Sequence, residues 1–467
     1  MSEKNRELIR DLTTGSVPGT LLRFSMPLFL SGLLQMVYNM VDMIVVGRMV
    51  GTAGLSAVSI GGEMMMLITF IAMGFSNAGQ ILISRYVGEK RPDRIGEMVS
   101  TLFTLLISLA VVIMFLFLLT YRDIMAWLNT PDSIWEYTRQ YSVTCILGTV
   151  FIYGYNLVSA ILRGMGDSKH PFLFIAVASV INLVLDLLFV GPMGMGPLGA
   201  ALATVIGQGV SFLFALVLLY RGREQIHFDF KPSHFRISPN VIRPLLSLGI
   251  PMVIQSAAIT FSMLFVNSYI NRYGEIHIAV TGIARKLENM IGIVSQAISA
   301  AGGAMVSQAL GAKKTERVPK IVLHALWIVA IPSGIFALVT LFRADWLFGI
   351  FSQDSAVLAV AMELYIPVAM IQYLGCTLRP PSFALINGSG NSRLNLAVAL
   401  LDGVACRIGL SLLLGVTLNW GITGFWYGNA VSGCVPFLVG FGFLLSGRWK
   451  PRDRKKDSSG PPESSVN

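Results

Sequence analysis

The segment QMVYNMVD, residues 35–42, lies inside the first long apolar stretch of the chain. At 100° per residue, Gln35, Asn39 and Asp42 fall on one face of a helix, with Tyr38 beside them. The opposite face is Met, Val and Leu, as lipid or packed helices require. An aspartate at the centre of a membrane-spanning helix costs about 2.5–3.5 kcal/mol, so it needs a compensating partner. We interpret the segment as one wall of a hydrated cavity; the alternative is a polar face packed against another helix.

Composition extends this interpretation to the whole chain. Charged residues make up 13% and hydrophobic residues 54% of the 467 positions, with a mean hydropathy of +0.68. Continuous apolar stretches of about 20 residues, the length of a membrane-spanning helix, recur from end to end. Their continuity excludes the alternating pattern of a β-barrel. The sequence therefore predicts an all-α polytopic membrane protein with twelve transmembrane helices. We place them at 21–48, 59–83, 97–121, 135–160, 171–190, 198–220, 244–270, 278–308, 321–342, 357–386, 394–416 and 422–446.

The connections between these spans alternate in charge. Those near 85–94, 163–169, 221–243, 313–320 and 393 are rich in Lys and Arg, and the intervening ones are sparse. By the positive-inside rule, both termini are predicted to be cytoplasmic in a multi-pass protein of the cell membrane. The net charge of +10 follows from this orientation, so we expect no nucleic-acid partner. We predict a cytoplasmic segment at 1–20 and a cytoplasmic, disordered tail at 447–467.

An internal repeat divides the chain in two. Three motifs recur in order at a near-constant offset: LLRFSMP at 21–27 with LLSLGIP at 245–251, SRYVGEK at 84–90 with SQALGAK at 307–313, and RGMGDSK at 163–169 with NGSGNSR at 387–393. Each half has six spans, an even number, so both enter the membrane in the same sense. We expect two six-helix lobes, 21–220 and 244–446, joined by a basic linker at 221–243. A pseudo-twofold axis along the membrane normal should relate them.

Departures from the repeat indicate where function lies. Asp42 aligns with Val266, while Asn182 and Asp186, at i and i+4 on one face of the fifth span, align with about Cys406 and Leu410. The first half therefore has two intramembrane carboxylates where the second has none. Further polar side chains of the first half are expected to line the same cavity. They are Tyr153, Asn156, Thr204 and Gln208.

Two carboxylates that share a low-dielectric cavity cannot both be bare anions. Either one holds a proton or a cation lies between them. Carboxylate, carboxamide and hydroxyl oxygens are hard ligands that suit Na⁺ as well as a proton site, and the residues do not decide between the two ions. The alternative is that Asn182 and Asp186 merely bond neighbouring helices. No other metal site is expected, since the four cysteines have no paired spacing and are predicted to be free thiols.

The second half has charged residues of its own inside its spans. Arg285 and Glu288 are three residues apart, so a local ion pair is expected there. Arg379 and Asp402 lie on different spans and form either an interhelical pair or a substrate contact. Pro27 interrupts the first span, and a proline removes one helical hydrogen bond and permits a bend that ion binding at Asp42 could use.

The ordered set of these features resembles the multidrug and toxic compound extrusion (MATE) transporters. The resemblance rests on Pro27, Gln35, Tyr38 and Asp42 in the first span, and it covers about residues 15–446. The turns GEK and GAK, the segment LRGMGD at 162–167, and Asn182 with Asp186 complete it. The pattern is closest to the archaeal and DNA-damage-inducible branch of that family.

The resemblance implies a V-shaped pair of six-helix lobes that exports organic cations against inward flow of H⁺ or Na⁺, with no cofactor. Its partners would be small organic substrates and the lipid bilayer, and the chain would be a monomer. Members of that branch bind the coupling cation in the first lobe, at positions that here match Asp42, Asn182, Asp186 and Thr204. Gln35, Tyr38 and Asn156 lie nearby. Another branch uses acids in the seventh and tenth spans, where this chain has Ile259 and about Thr377.

Three other functions compete with cation-coupled export. A lipid-linked oligosaccharide flippase would need several Lys or Arg in the cavity of the first half, whose spans are almost free of them. A membrane-embedded enzyme would need a nucleophile and base or a set of metal ligands, and the five histidines lie at or near loops and span ends. A channel is less compatible with two lobes of which only one carries an acid pair.

Overall fold

The computed structural model describes residues 8–450, and every regular element in that part of the chain is helical. Residues 451–467 of the predicted disordered tail lie outside the described residues, as do the first seven residues of the predicted N-terminal segment, while 447–450 form a turn with Trp449 buried. The α-helices are α1 (Val17–Val50), α2 (Thr52–Gly88), α3 (Pro92–Trp127), α4 (Trp135–Leu147), α5 (Thr149–Gly164), α6 (Lys169–Phe189), α7 (Pro197–Arg221), α8 (Pro239–Ile270), α9 (Glu275–Gly311), α10 (Arg317–Gly349), α11 (Ser355–Val360), α12 (Ile366–Ser389), α13 (Ser392–Ala399), α14 (Arg407–Leu412), α15 (Ile422–Ser432) and α16 (Val435–Ser446). Three π-helical segments, Ala361–Tyr365, Leu400–Cys406 and Leu413–Thr417, join α11 to α12, join α13 to α14 and follow α14.

Eleven helical runs within residues 8–450 are long and apolar enough to cross a membrane, and α4 with α5 forms a twelfth span bent by 48°. The predicted all-α architecture of twelve spans in two lobes is therefore confirmed. We call α1–α7 the N-lobe and α8–α16 the C-lobe. Helix α2 is central in the first and α9 in the second. The apolar cores cross between the lobes, because Leu245 of α8 packs into the core around α2 and Leu21 of α1 packs into a core around α9.

The fourth span, predicted at 135–160, breaks at Gly148. A Cβ atom at Gly148 would lie 2.5 Å from the side chain of Val205 on α7. The absence of a side chain lets α7 approach the break closely, and this contact belongs to the tertiary packing rather than to the local apolar pattern. The break in the span coincides with this contact.

Spans ten and eleven are interrupted by the π-helical segments. In an α-helix, residues i and i+5 are rotated by about 140° from one another. The i→i+5 hydrogen bonding of a π-helix brings such residues onto one side. Within Leu400–Cys406 this change places Asp402 next to Arg407, whose guanidinium donates to the Asp402 carboxylate at 3.1 Å. The π-helix therefore creates a charged contact that α-helical periodicity would separate.

The lobes meet where α2 crosses α9. Gly88 and Gly311 lie at the ends of these helices, and a Cβ atom at Gly88 would be 2.1 Å from the carbonyl oxygen of Gln308. A Cβ atom at Gly311 would be 2.3 Å from the carbonyl oxygen of Arg85. Only glycine permits backbones to approach this closely. Farther along the same crossing, the Ser307 hydroxyl donates to the carbonyl oxygen of Ile81 at 2.7 Å.

These contacts mark one end of the bundle, which we call the basic end because the Lys- and Arg-rich connections gather there. Residues 8–16, which we call the N-terminal strap, cross this end from one lobe to the other. In the N-lobe, the Arg10 amide donates to the Met165 carbonyl at 2.8 Å. In the C-lobe, the Leu12 amide donates to the side-chain oxygen of Gln308 at 2.5 Å. The strap and the α2–α9 crossing together close the basic end.

Candidate functional site

A narrow pocket lies between α1, α5, α6 and α7 of the N-lobe. Eight of its eleven lining residues have carboxamide, phenol or hydroxyl side chains. These are Gln35, Tyr38, Tyr155, Ser179, Asn182, Thr204, Gln208 and Ser211. Five of them, Gln35, Tyr38, Asn182, Thr204 and Gln208, are residues that the sequence predicted for the site.

The approach of α6 to α7 brings two predicted ligands together. Gly207 lies on the α7 face toward α6, where a Cβ atom would be 3.0 Å from the Ala178 carbonyl oxygen. Because Gly207 has no side chain, α6 can lie close to α7 at this level. The Asn182 amide then donates to the Thr204 hydroxyl at 3.3 Å.

The two carboxylates lie one helical turn past Asn182, where α1 packs against α6. Asp42 is 7% exposed and Asp186 is 1% exposed, and their carboxyl groups are within hydrogen-bonding distance of each other. The Oδ1 atom of each is buried with no hydrogen-bond partner among residues 8–450. Two buried acids in contact, each with an unpaired oxygen, need a shared proton or a cation.

The pocket is small. The space open to the centre of a water-sized sphere is about 20 Å³, and about 10–15 Å³ of such space holds one water. The pocket therefore has room for a water molecule or a small ion, but a drug-sized molecule needs several hundred Å³. Its oxygen atoms come from Asn182, Thr204 and the unpaired Gln208 Oε1, with the Asp42–Asp186 pair adjacent. These are donors that suit Na⁺ or a hydrated proton site.

Three residues predicted for the substrate cavity do not line this pocket. Tyr153 is fully buried in the core of the N-lobe, where its hydroxyl donates to the Ile68 carbonyl at 2.8 Å. The Asn156 amide donates to the Ile152 carbonyl of its own helix at 2.8 Å. Asn39 is exposed on α1. Because the pocket has no room for a drug-sized molecule, it does not test the predicted place of these residues in the substrate cavity, which stays a prediction.

The sequence interpretation missed one tyrosine and two serines of the lining. These are Tyr155, Ser179 and Ser211. Tyr155 adjoins the predicted Asn156, so a one-residue shift in helical phase would have identified it. Ser179 precedes Asn182 by three residues on the polar face of α6, which was the available signal.

The first span runs through Pro27 as one continuous helix, α1. The Ser31 hydroxyl donates at 2.8 Å to the Pro27 carbonyl, one turn along the helix. The proposed use of Pro27 as a bend point that responds to ion binding stays a prediction.

The C-lobe has a buried charge cluster in place of the carboxylate pair. The Asp402 carboxylate accepts from Arg379 at 2.9 Å and from Arg407 at 3.1 Å, and Arg407 also donates to Asn429. The expected local pair between Arg285 and Glu288 is not formed, because Glu288 instead accepts a hydrogen bond from Gln372. In the C-lobe one carboxylate is thus paired with two guanidinium groups, whereas the two N-lobe carboxylates have no basic partner among residues 8–450.

Comparison with known proteins supports the division of the chain into two equivalent halves, which the internal repeat indicated. The MatE family model matches the chain twice, over residues 27–188 and 251–413. The chain is 25% identical over 425 residues to the probable multidrug resistance protein YoeA of Bacillus subtilis, covering 90% of this chain and 92% of that protein. It is 29% identical to YpnP, a probable multidrug resistance protein of the same organism, over 66% of this chain and 68% of that protein.

Solved structures match the fold along nearly the whole chain. A crystal structure of a MATE protein in a bent conformation superposes with a TM-score of 0.85 at 22% identity, over 96% of this chain and 98% of that one. A multidrug resistance MATE transporter in an outward-facing conformation superposes with a TM-score of 0.83 at 23% identity, over 93% and 96% of the two chains. The double match to the family model, with a fold of twelve spans in two lobes, shows that the chain is a membrane transporter, not an enzyme, and belongs to the MatE family.

Proposed function

We propose that the protein is a secondary active antiporter that exports amphipathic, cationic organic compounds and is driven by inward flow of H⁺ or Na⁺. The observation that carries the proposal is the buried contact between Asp42 and Asp186, with an unpaired oxygen on each carboxylate. The names of the relatives, probable multidrug resistance proteins among them, favour drug-like substrates. Small organic molecules and the bilayer are then its partners, and the transporter acts as a monomer.

The basic end faces the cytoplasm in this proposal, as the charge distribution favours. The strap and the linker at 221–243 are then cytoplasmic, and the lobes comprise 21–220 and 244–446. The conformation described here is closed at the basic end, so the cleft between the lobes would open outward. A protein of the cell membrane in this state releases its substrate to the outside and takes up the coupling ion.

Coupling follows from charge neutralisation. With no ion bound, the negative charge of Asp42 and Asp186 attracts a cationic compound into the cleft. A proton or Na⁺ that enters the N-lobe pocket removes that attraction. The protein therefore binds either the ion or the drug, but not both at once. The pocket has room for an ion but not for a drug, so exclusion acts through the electrostatic field and helix position rather than through shared space. Such coupling is reciprocal: the drug weakens ion binding by the same factor.

The test is substrate efflux into everted membrane vesicles, driven in one arm by a pH gradient and in the other by a Na⁺ gradient. Asp42→Asn and Asp186→Asn should each abolish driven efflux while the protein still inserts and folds. Asp123→Asn is the matched control, because Asp123 is an exposed acid at the far end of α3. Driven efflux that survives in both pocket variants at the level of the control would reject the proposal.

A binding measurement separates the coupling from transport itself. The affinity of the purified protein for a cationic dye should fall as the concentration of the coupling ion rises, and Asp42→Asn should remove that dependence. Dye affinity that is indifferent to both pH and Na⁺ in the unmodified protein would contradict mutual exclusion.

A further inference from the structure

A second pocket lies at the basic end, outside the ion site, where the N-terminal strap meets α10. The space open to the centre of a water-sized sphere is about 360 Å³, much more than in the N-lobe pocket. Basic side chains of the C-lobe line one wall, and the strap and the first turn of α1 line the other. The side chains on the basic wall are those of Lys314, Arg317, Lys320 and His324.

The basic residues are held in place by the strap. Lys314 Nζ donates to the Thr13 hydroxyl at 2.8 Å and to the Thr13 carbonyl at 3.2 Å. Arg317 donates to the Gly15 carbonyl at 3.1 Å, and its Nε is buried with no partner among residues 8–450. Lys320 is exposed and has no ion-pair partner in that part of the chain. Glu316 is the acid of the lining, and it is exposed.

The internal repeat shows that this pocket is a departure from symmetry. With the offset that aligns Gly88 with Gly311, Lys320 corresponds to Glu97 and His324 to Thr101. In the N-lobe these positions are covered by the linker before α8. The Ser238 hydroxyl donates to Glu97 at 2.9 Å, and its amide donates to the Thr101 hydroxyl at 3.0 Å. The N-lobe thus has a carboxylate that is hydrogen-bonded by Ser238. At the corresponding place the C-lobe has an open pocket and a lysine with no ion-pair partner among residues 8–450.

A continuous stripe leads from the pocket onto the apolar surface of α10. Lys320, His324, Trp327 and Ile331 follow one another at i, i+4, i+7 and i+11, so they lie on one helix face. Trp327 is 62% exposed and Ile331 is 65% exposed. Tryptophan two turns above lysine on a lipid-facing surface is typical of the boundary between headgroups and acyl chains.

We propose that this pocket binds the phosphate headgroup of an acidic phospholipid, whose acyl chains lie along Trp327 and Ile331. Arg and Lys side chains together recognise phosphate, the first through its fork of donors and the second as a point charge. Basic pockets between membrane helices are the usual sites for such headgroups. The shared chemistry is a phosphate anion, and the apolar stripe favours a lipid as its source over free phosphate.

Occupancy would strengthen the attachment of the strap to the C-lobe. Thr13, Gly15 and Ser16 line the pocket, and the strap also bonds to the N-lobe through Arg10. A headgroup that neutralises the repulsion between Lys314, Arg317 and Lys320 therefore stabilises the conformation with the basic end closed. This inference does not depend on which ion drives transport or on the substrate.

The test is lipid binding by the purified full-length protein, measured by native mass spectrometry and by thermal stability with added phosphatidylglycerol, phosphatidylcholine or inorganic phosphate. Phosphatidylglycerol should bind more tightly than phosphatidylcholine and should raise the melting temperature more. Lys320→Glu, which introduces the residue type of the N-lobe, should weaken phosphatidylglycerol binding by about tenfold or more, given the contribution of each basic residue to anionic lipid binding. Lys90→Glu is the matched control, since it makes the same charge change at an exposed site at the basic end of the N-lobe.

Three results would overturn the inference. The first is equal binding of the two lipids by the unmodified protein. The second is an equal loss of phosphatidylglycerol binding in Lys320→Glu and Lys90→Glu, which would show that general surface charge, not the pocket, explains the lipid preference. The third is full stabilisation by inorganic phosphate with no further effect of lipid, which would assign the pocket to a free anion.

Discussion

Replacing Gly88 with alanine should shift the protein away from the conformation closed at the basic end. The new Cβ atom would lie 2.1 Å from the Gln308 carbonyl oxygen, against 3.4 Å for ordinary contact, so the two backbones would have to separate by about 1.3 Å. The new Cβ atom clashes with a backbone carbonyl oxygen of a helix, which cannot rotate away as a side chain could. Overpacking of this kind costs about 1–3 kcal/mol, and the cost applies only while α2 and α9 are in contact.

A penalty of about 1–3 kcal/mol on one of two conformations changes their ratio by about 5- to 150-fold. Gly311→Ala should act in the same direction, because its Cβ atom would lie 2.3 Å from the Arg85 carbonyl oxygen. Gly62→Ala is the matched control: it makes the same change on α2, where nothing lies within 4 Å of the added atom.

The assay is the distance between spin labels at the basic end, one on each lobe, on a background without native cysteines. Asp93 of α3 and Glu316, which precedes α10, are exposed and suitable for labelling. Gly88→Ala should move the distribution to longer distances, and Gly62→Ala should leave it unchanged. A folded Gly88→Ala protein with the parental distribution would show that the α2–α9 contact does not control opening.

Three other predictions follow from particular contacts. Asp402→Asn removes the carboxylate that pairs with the buried Arg407 and with Arg379, whose side chain is 24% exposed. It should lower the free energy of unfolding by about 3–5 kcal/mol, and loss of transport at unchanged stability would contradict this structural role. Asp167 lies in the α5–α6 turn at the basic end, where burial opposes ionisation but the hydrogen bond and charge of His170, with Arg10, lower its pKa. The ionised Asp167 carboxylate should therefore stabilise the fold fully above its unfolded pKa near 3.8, and this stabilisation should be lost as pH falls through its lower pKa in the folded protein. In Asp167→Asn, the free energy of unfolding should depend less on pH over that range. A pH dependence equal to that of the unmodified protein would refute the assignment. The four cysteines are free, so a cysteine-free variant should keep its fold and transport, and loss of either would show an unrecognised role.

The sequence alone determined the twelve helices, their division into equivalent halves and the lobe that carries the carboxylates. These features depend on local composition and on period: an apolar stretch of membrane length forms a helix in lipid whatever its neighbours are. The sequence predicted that Gln35, Tyr38 and Asp42 share one face, because α1 is a regular helix. The shared face of Asn182 and Asp186 on α6 was predicted for the same reason.

The tertiary structure decided which polar side chains meet. Tyr153 and Tyr155 are equally polar in the sequence, but they lie about 200° apart on α5, and packing buries the first in the core and places the second at the pocket. A π-helix pairs Asp402 with Arg407 at a spacing that α-helical periodicity separates. In each case the outcome depends on how closely another helix approaches, and that distance depends on residues remote in the sequence. Periodicity sets the face of one helix, and only packing sets what that face contacts.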